Sequence, residues 1–255
     1  MNSKSFTIER LAVSIYPTRE EMGAHAGRDA AEAIKSAIAE KGTANVMFAA
    51  APSQNETLSV LCEDREIDWT KVNAFHMDEY IGLGDTHPAG FRNFLKRAIF
   101  NRFTFASVNL LDGNAQDPER EAERYERLLR EQPLDVCLCG IGENGHIAFN
   151  DPAVADFRDP KWVKVVQLDE VCRNQQVNDG CFEKLSDVPE FALTVTVPAL
   201  TAAAKMICSV PALSKANAVK HMLSDEISEQ CPASILRCHH HAHLYLDTDA
   251  AKYIL

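Results

Sequence analysis

Short apolar runs separated by longer amphipathic stretches recur along this chain, and no other feature narrows its possible folds so far. AVSIY (12–16), NVMFAA (45–50), VNAFHM (72–77), LDVCLCGI (134–141), WVKVVQL (162–168), ALTVTV (192–197) and AKMICSV (204–210) read as strands, several of them continuously apolar. Continuous apolar strands suit a sheet covered on both faces. Between several of them lie helical patterns. Thr18 to Glu21 reads as a capping box opening a helix that ends near Lys41 with Gly42 behind it, and Ser53 to Glu56 reads as a second box. Further helical patterns fall near 90–101, 117–131, 170–184 and 214–223. The order predicts an α/β fold, a Rossmann-like arrangement with a mostly parallel sheet and helices on both faces. With no fixed-period repeat and no Gly/Ser/Pro linker, residues 1–255 are expected to form one domain.

The formal net charge of −11 disfavours nucleic acid and anionic membrane surfaces as partners, and an anionic small ligand would need a local cluster of cations. No stretch reaches the roughly 18 to 20 apolar residues of a membrane span, and the start MNSKSFTIER lacks a signal-peptide core, so a cytoplasmic location is expected. Eight cysteines without C-x-x-C spacing, mostly inside apolar runs, suit reduced core thiols.

In sheets of this kind ligands bind beyond the carboxyl ends of the strands, and three segments occupy such places. Asp78 and Glu79 follow VNAFHM; from spacing they are either site carboxylates or solvated turn residues. CGIGENGHIAFNDP follows LDVCLC, and Gly140, Gly142 and Gly145 allow tight turns beside His146, which can exchange a proton near neutral pH. Asn144 and Asp151 are placed to orient or charge-tune that imidazole. Although GIGENG matches G-x-G-x-x-G in letters, no ribose-binding acid follows at the required distance, so a dinucleotide is not expected. In AAAPSQNE, Ser53 is either a plain N-cap or part of a phosphate-holding helix start. Cys238, His239, His240, His241 and His243 have the letters of a metal cluster, but strand alternation would split the histidines between faces, and a site without metal is expected.

Together, HMDEYIGL, NLLDGNAQDPEREAERYE, GIGENGHIAFNDP, PEFALTVTVPAL, LSKANAV and CPASILRCHH resemble, in order and spacing, the glucosamine-6-phosphate deaminase/isomerase family, related to the 6-phosphogluconolactonases. The resemblance covers nearly the whole chain, and Asp78-Glu79-Tyr80 stands where the lactonases carry an acidic-arginine pair.

The resemblance implies an amino-sugar 6-phosphate as substrate, converted to a ketose 6-phosphate and ammonia without cofactor or metal. It makes Asp78 the base that moves a proton between C2 and C1, and His146 the group that opens the ring, assisted by Asn144 and Asp151. Ala50, Ala51 and Ser53 stand in the family's phosphate loop, where its Thr-Gly-Gly-Thr is replaced by Ala-Ala-Pro-Ser. The loop thereby loses two glycines and, at Pro52, an amide donor. Lys215 keeps a matching cation; Gln176 stands where the family has a phosphate-gripping arginine, and Arg173 is expected to supply some of the missing charge. Glu79 and Gly142 complete the expected substrate contacts. Galactosamine 6-phosphate is a close alternative substrate, lactone hydrolysis and sugar-phosphate binding without turnover are the competing activities, and a homo-oligomer and a monomer are both compatible with the family.

Overall fold

A computed structural model describes residues 3–255; Met1 and Asn2, the first two residues of the MNSKSFTIER stretch read above, lie outside the described residues. Eight strands form the main sheet: β1 (Lys4–Ile8), β2 (Leu11–Tyr16), β3 (Ala44–Phe48), β4 (Val72–His76), β6 (Ser107–Asn109), β7 (Val136–Cys139), β10 (Lys205–Val210) and β11 (Ala242–Asp247). Their spatial order is β1-β2-β11-β10-β7-β3-β4-β6. Among the described residues, only the β1–β2 pair of this sheet is antiparallel, so it is mostly parallel as expected.

The continuous apolarity of the central strands has a direct cause. Val46, Phe48, Val136 and Leu138 enter one core, with Met22, Ala26, Ala30 and Ile34 of helix α1 (Arg19–Lys41). Met47, Cys137 and Cys139 enter the opposite core, with Tyr125 and Leu129 of α4 (Pro118–Glu131) and Val219 and Met222 of α7 (Ala216–Ser224). Successive side chains of a strand point to opposite faces, so a strand covered twice must be apolar at every position.

Two runs depart from the expected sheet. WVKVVQL and ALTVTV yield β8 (Val163–Gln167) and β9 (Phe191–Val195), which pair antiparallel with each other and, through β9, with β5 (Asp78–Tyr80). Apolar runs alone do not state pairing direction. The helix expected over 170–184 is α5 (Glu170–Asn178), capped by the Asp169 carboxylate and stopped before Gly180, whose φ of 73° is left-handed. The remaining helices are α2 (Asn55–Glu63), α3 (Phe91–Leu95), continued by a wider π-type turn over Lys96–Phe100, and α6 (Val197–Thr201). Among the described residues, no helix is long and apolar enough to cross a membrane.

Of the first box the N-cap half forms: Thr18 accepts from the Glu21 amide at 3.2 Å, and Gly42 closes α1 at φ 82°. The second box does not form. Ser53 lies inside a 3-10 turn, Pro52–Gln54, and α2 begins without a side-chain cap. Glu56 instead pairs with Arg19 across two helices, 2.8 Å away. Helices α1 and α2 meet at Gly23 and Gly27, one turn apart, where an added Cβ would stand 2.2 Å from Glu56 Cβ and 2.6 Å from Val60 Cβ.

The close helix contact gives a stability prediction. Gly27→Ala should improve α1's intrinsic propensity by about 1 kcal/mol yet force the helices apart at a cost of about 1–3 kcal/mol, giving a net loss. Urea unfolding of the variant checks this, and a gain in stability would contradict the contact.

Candidate active site

The strand order places the site. From β3 the chain moves outward to β4 and β6, whereas from β7 it moves the other way to β10 and β11. The reversal between β3 and β7 parts the loops at their carboxyl ends and leaves a crevice. There a cavity of about 390 Å³ is lined by residues following β3 (Ala50, Ala51, Ser53), β4 (Asp78), β7 (Gly140, His146) and β10 (Lys215).

Asp78 is held by its backbone. Tyr125 Oη accepts from the His76 amide and donates to the His76 carbonyl, each at 2.9 Å. The His76 ring, fully enclosed, lies 2.9 Å from the Asp78 carbonyl through Nδ1, while its Nε2 accepts from the Leu111 amide. An acceptor role at Nε2 leaves Nδ1 as the proton-bearing donor. Burial keeps that imidazole neutral, with its pKa down at about 3. Asp78 is 6 % exposed, so the solvated-turn alternative is overturned. Burial, and secondarily the neighbouring Glu79 carboxylate, push its pKa well above the usual range.

The glycine-rich loop folds around His146. An added Cβ at Gly142 would stand 2.2 Å from the His146 ring, so the glycine makes room for the imidazole. Asn144 accepts from the His146 amide at 3.1 Å and donates to Asp151 at 3.0 Å. Asp151, 1 % exposed, brings its carboxylate to 2.8 Å from His146 Nδ1, an ion-pair distance that departs from good hydrogen-bond alignment. Burial works against the ionised carboxylate, but His146 and Asn144 outweigh it and hold the Asp151 pKa below its usual value. Nδ1 faces Asp151, while the ring also borders the cavity. Ala148 and Ala212, both lining this cavity, are non-glycine residues with positive φ (51° and 82°), local strain of the sort that persists at sites held by their surroundings. The Asp247 carboxylate accepts from the Ala212 amide at 3.0 and 3.1 Å, and the Ala212 carbonyl accepts from the Lys215 amide at 3.1 Å. The end of β11 thereby steadies Lys215.

Not every expected contact is at the cavity. The Glu79 carboxylate accepts from the amides of Tyr80, Phe91 and Arg92 at 2.9–3.1 Å, two of them in the first turn of α3, so it caps a helix instead of facing a ligand. Gly142 sits behind the His146 ring and outside the cavity wall. Arg173 is turned away: its Nη2 donates to the carbonyls of Leu185 and Val188, which corrects the expectation that it supplies ligand charge. Gln176 does line the cavity, beside Gln175, whose Oε1 accepts from the Glu143 amide at 2.8 Å. Gln54 and Arg19 also line it, and neither was identified from sequence. Both lie next to a recognised segment, but their direction depends on helix packing.

His146, Asp151 and Cys172 place potential metal donors within 4.8 Å of one another. Burial and the adjacent acids keep the Cys172 thiol far above its usual pKa, which suits an S–H donor better than a thiolate ligand. The expected strand through the histidine cluster begins only at Ala242; His239 engages the Ala203 carbonyl, His240 lies against Arg10 and His243 against Ser14, so the rings have separate partners.

Residues 17–245 match the family model for glucosamine-6-phosphate isomerases/6-phosphogluconolactonase. A glucosamine-6-phosphate deaminase of Listeria welshimeri is 33% identical over 225 residues, 88% of this chain and 94% of that protein. A deaminase of the same name from an Exiguobacterium species is 38% identical over 186 residues, 73% of this chain and 71% of its own length. The solved structure of a monomeric glucosamine-6-phosphate deaminase superposes with a TM-score of 0.85 at 30% identity, covering 94% of this chain and 98% of the other. The Trypanosoma brucei 6-phosphogluconolactonase shares the fold at a TM-score of 0.78 and 18% identity, covering 99% and 100% of the two chains. The match over residues 17–245, which takes in the segments that border the crevice, carries one conclusion: the chain belongs to the glucosamine-6-phosphate isomerase/6-phosphogluconolactonase family.

Proposed function

We propose that this protein converts an amino-sugar 6-phosphate, glucosamine 6-phosphate or its galactosamine epimer, to a ketose 6-phosphate and ammonia. The observation that supports this most is the pairing of two proton-transfer groups on one cavity: Asp78 after β4 and His146 after β7, on either side of β3. In this reading His146 moves the proton that opens the pyranose, and Asp151 with Asn144 holds the imidazole for that step. The aldehyde so exposed acidifies the C2 proton. Asp78, as carboxylate, removes it and returns it to C1. The C2 enamine becomes an imine, water adds to C2, and ammonia leaves.

The same reading gives Ser53 and Lys215 the phosphate, with Gln176 as a neutral contact and the Ala50–Ala51 backbone beside them. Lys215 is 6 % exposed and burial lowers its pKa, so an anion arriving next to it relieves an unfavourable desolvated charge.

Ammonia release from both amino-sugar phosphates, beside 6-phosphogluconolactone as counter-substrate, tests the function. Asp78→Asn should lower kcat by about 10²- to 10⁴-fold, the usual worth of a positioned base. Release that persists in the variant would remove Asp78 from that role, and turnover of the lactone alone would replace the reaction.

The acid limb of the pH profile carries a second prediction. Asp78 must be ionised to act, and its pKa is raised, so kcat/KM should fall as pH drops through a value above the ordinary carboxylate range. A limb confined to the ordinary range would show that the raised group does not govern turnover.

A further inference from the structure

Polar groups from several segments line the end of the cavity beyond β3 and β10, and their hydrogen bonds show which are free for a ligand. Gln54 Nε2 donates to Ser53 Oγ at 3.1 Å and to the Ser209 carbonyl at 3.2 Å, so the amide is committed to the protein. Ser53 Oγ accepts that bond and keeps its own proton available to donate. Pro52 has no amide to offer, and its carbonyl points to Arg19, which donates to it through Nη2. Two cationic side chains other than Lys215 line the cavity, Arg19 and Arg97, and the Arg97 guanidinium is directed to the exposed Pro88 carbonyl.

Arg19 reaches the loop because of the glycine contact between α1 and α2. Gly23, one turn further along α1, lets that helix lie directly on Glu56, and Arg19 then spans from the start of α1 to Glu56 and Pro52. The side chain is about one-third exposed, bordering the cavity. Its guanidinium carries five N–H donors in a planar fork. Nε lies 2.8 Å from the Glu56 carboxylate, an ion-pair distance without hydrogen-bond alignment, and Nη2 serves Pro52, while Nη1 has no hydrogen bond among the described residues.

We infer that Arg19 is a binding residue for the anionic end of the substrate, acting with Lys215 and the Ser53 hydroxyl on a phosphate dianion, and that Glu56 and the Pro52 carbonyl hold it in position. This rests on the sugar-phosphate reading above and adds to it the charge that the neutral Gln176 does not supply. Pro52 removes one donor from the loop and presents a carbonyl that fastens a guanidinium beside it.

The test separates binding from chemistry. Arg19→Gln should raise KM for the amino-sugar 6-phosphate by about 10- to 100-fold, the worth of a charge-assisted contact, with kcat within about twofold of the parent. The dissociation constant of inorganic phosphate, measured by calorimetry, should rise in parallel. Arg19→Lys should recover part of both. An unchanged KM and phosphate affinity, or a fall confined to kcat, would overturn the inference. Phosphate calorimetry needs no turnover, so it tests Arg19 even if ammonia release fails; a parent protein that binds no phosphate would overturn it too. If Arg19→Gln does not fold, Glu56→Gln tests the same contact: its amide oxygen can still face the guanidinium and hold it in position, as Glu56 Oε1 does, while the negative charge that competes with phosphate is gone. Tighter phosphate binding is then expected, and unchanged binding would count against Arg19.

Discussion

The parallel pairing of β7 with β3 on one side and β10 on the other is the constraint on which the site depends. It brings the carboxyl ends of strands far apart in sequence to one rim, so that Asp78, His146, Ser53 and Lys215 face a common space. Each of these strands is held by ladder bonds and by a core on either face. Such a rim deforms little, and loops anchored on it can hold side chains in less favourable states than the same loops could alone.

Several unfavourable states are held there. Carboxyl groups at Asp78, Glu79 and Asp151 are all buried, each of which would be costly without partners. Their environments divide them. Glu79 takes three backbone amides and caps α3; Asp151 takes an imidazole and an amide side chain and stays ionised; Asp78 is left with burial and a like charge, and its proton is held more tightly. Adjacent or near-adjacent acids thus acquire different chemistry from their surroundings alone. The positive φ at Ala148 and Ala212 belongs to the same pattern, with the Asp247 carboxylate holding the second.

Much of this was readable from the residues. The helix over Arg19–Lys41 announced both ends, because its Thr18 cap and Gly42 stop are local devices. The Ser53 box looked equally good and failed, since Pro52 draws the serine into a 3-10 turn and Glu56 has a stronger partner in Arg19. Gly142 was recognised as permissive, but its reason is the His146 ring packed against it. Arg173 was misdirected by helical spacing, which tells which face a side chain leaves from and not which carbonyls wait at its end. Arg19 carried no signal, because its distance from Ser53 along the chain is closed only by the α1–α2 contact.

By itself the sequence determined the fold class, the family and the segments that border the crevice, because apolar periodicity, caps and ordered motifs act over short distances along the chain. The tertiary structure alone decided that β8 and β9 leave the main sheet, that Glu79 serves a helix while Asp78 faces the cavity, and that Arg19 and not Arg173 borders the cavity. Those outcomes turn on which distant groups meet and compete for the same hydrogen bonds, a matter settled by packing in three dimensions and not by any local pattern.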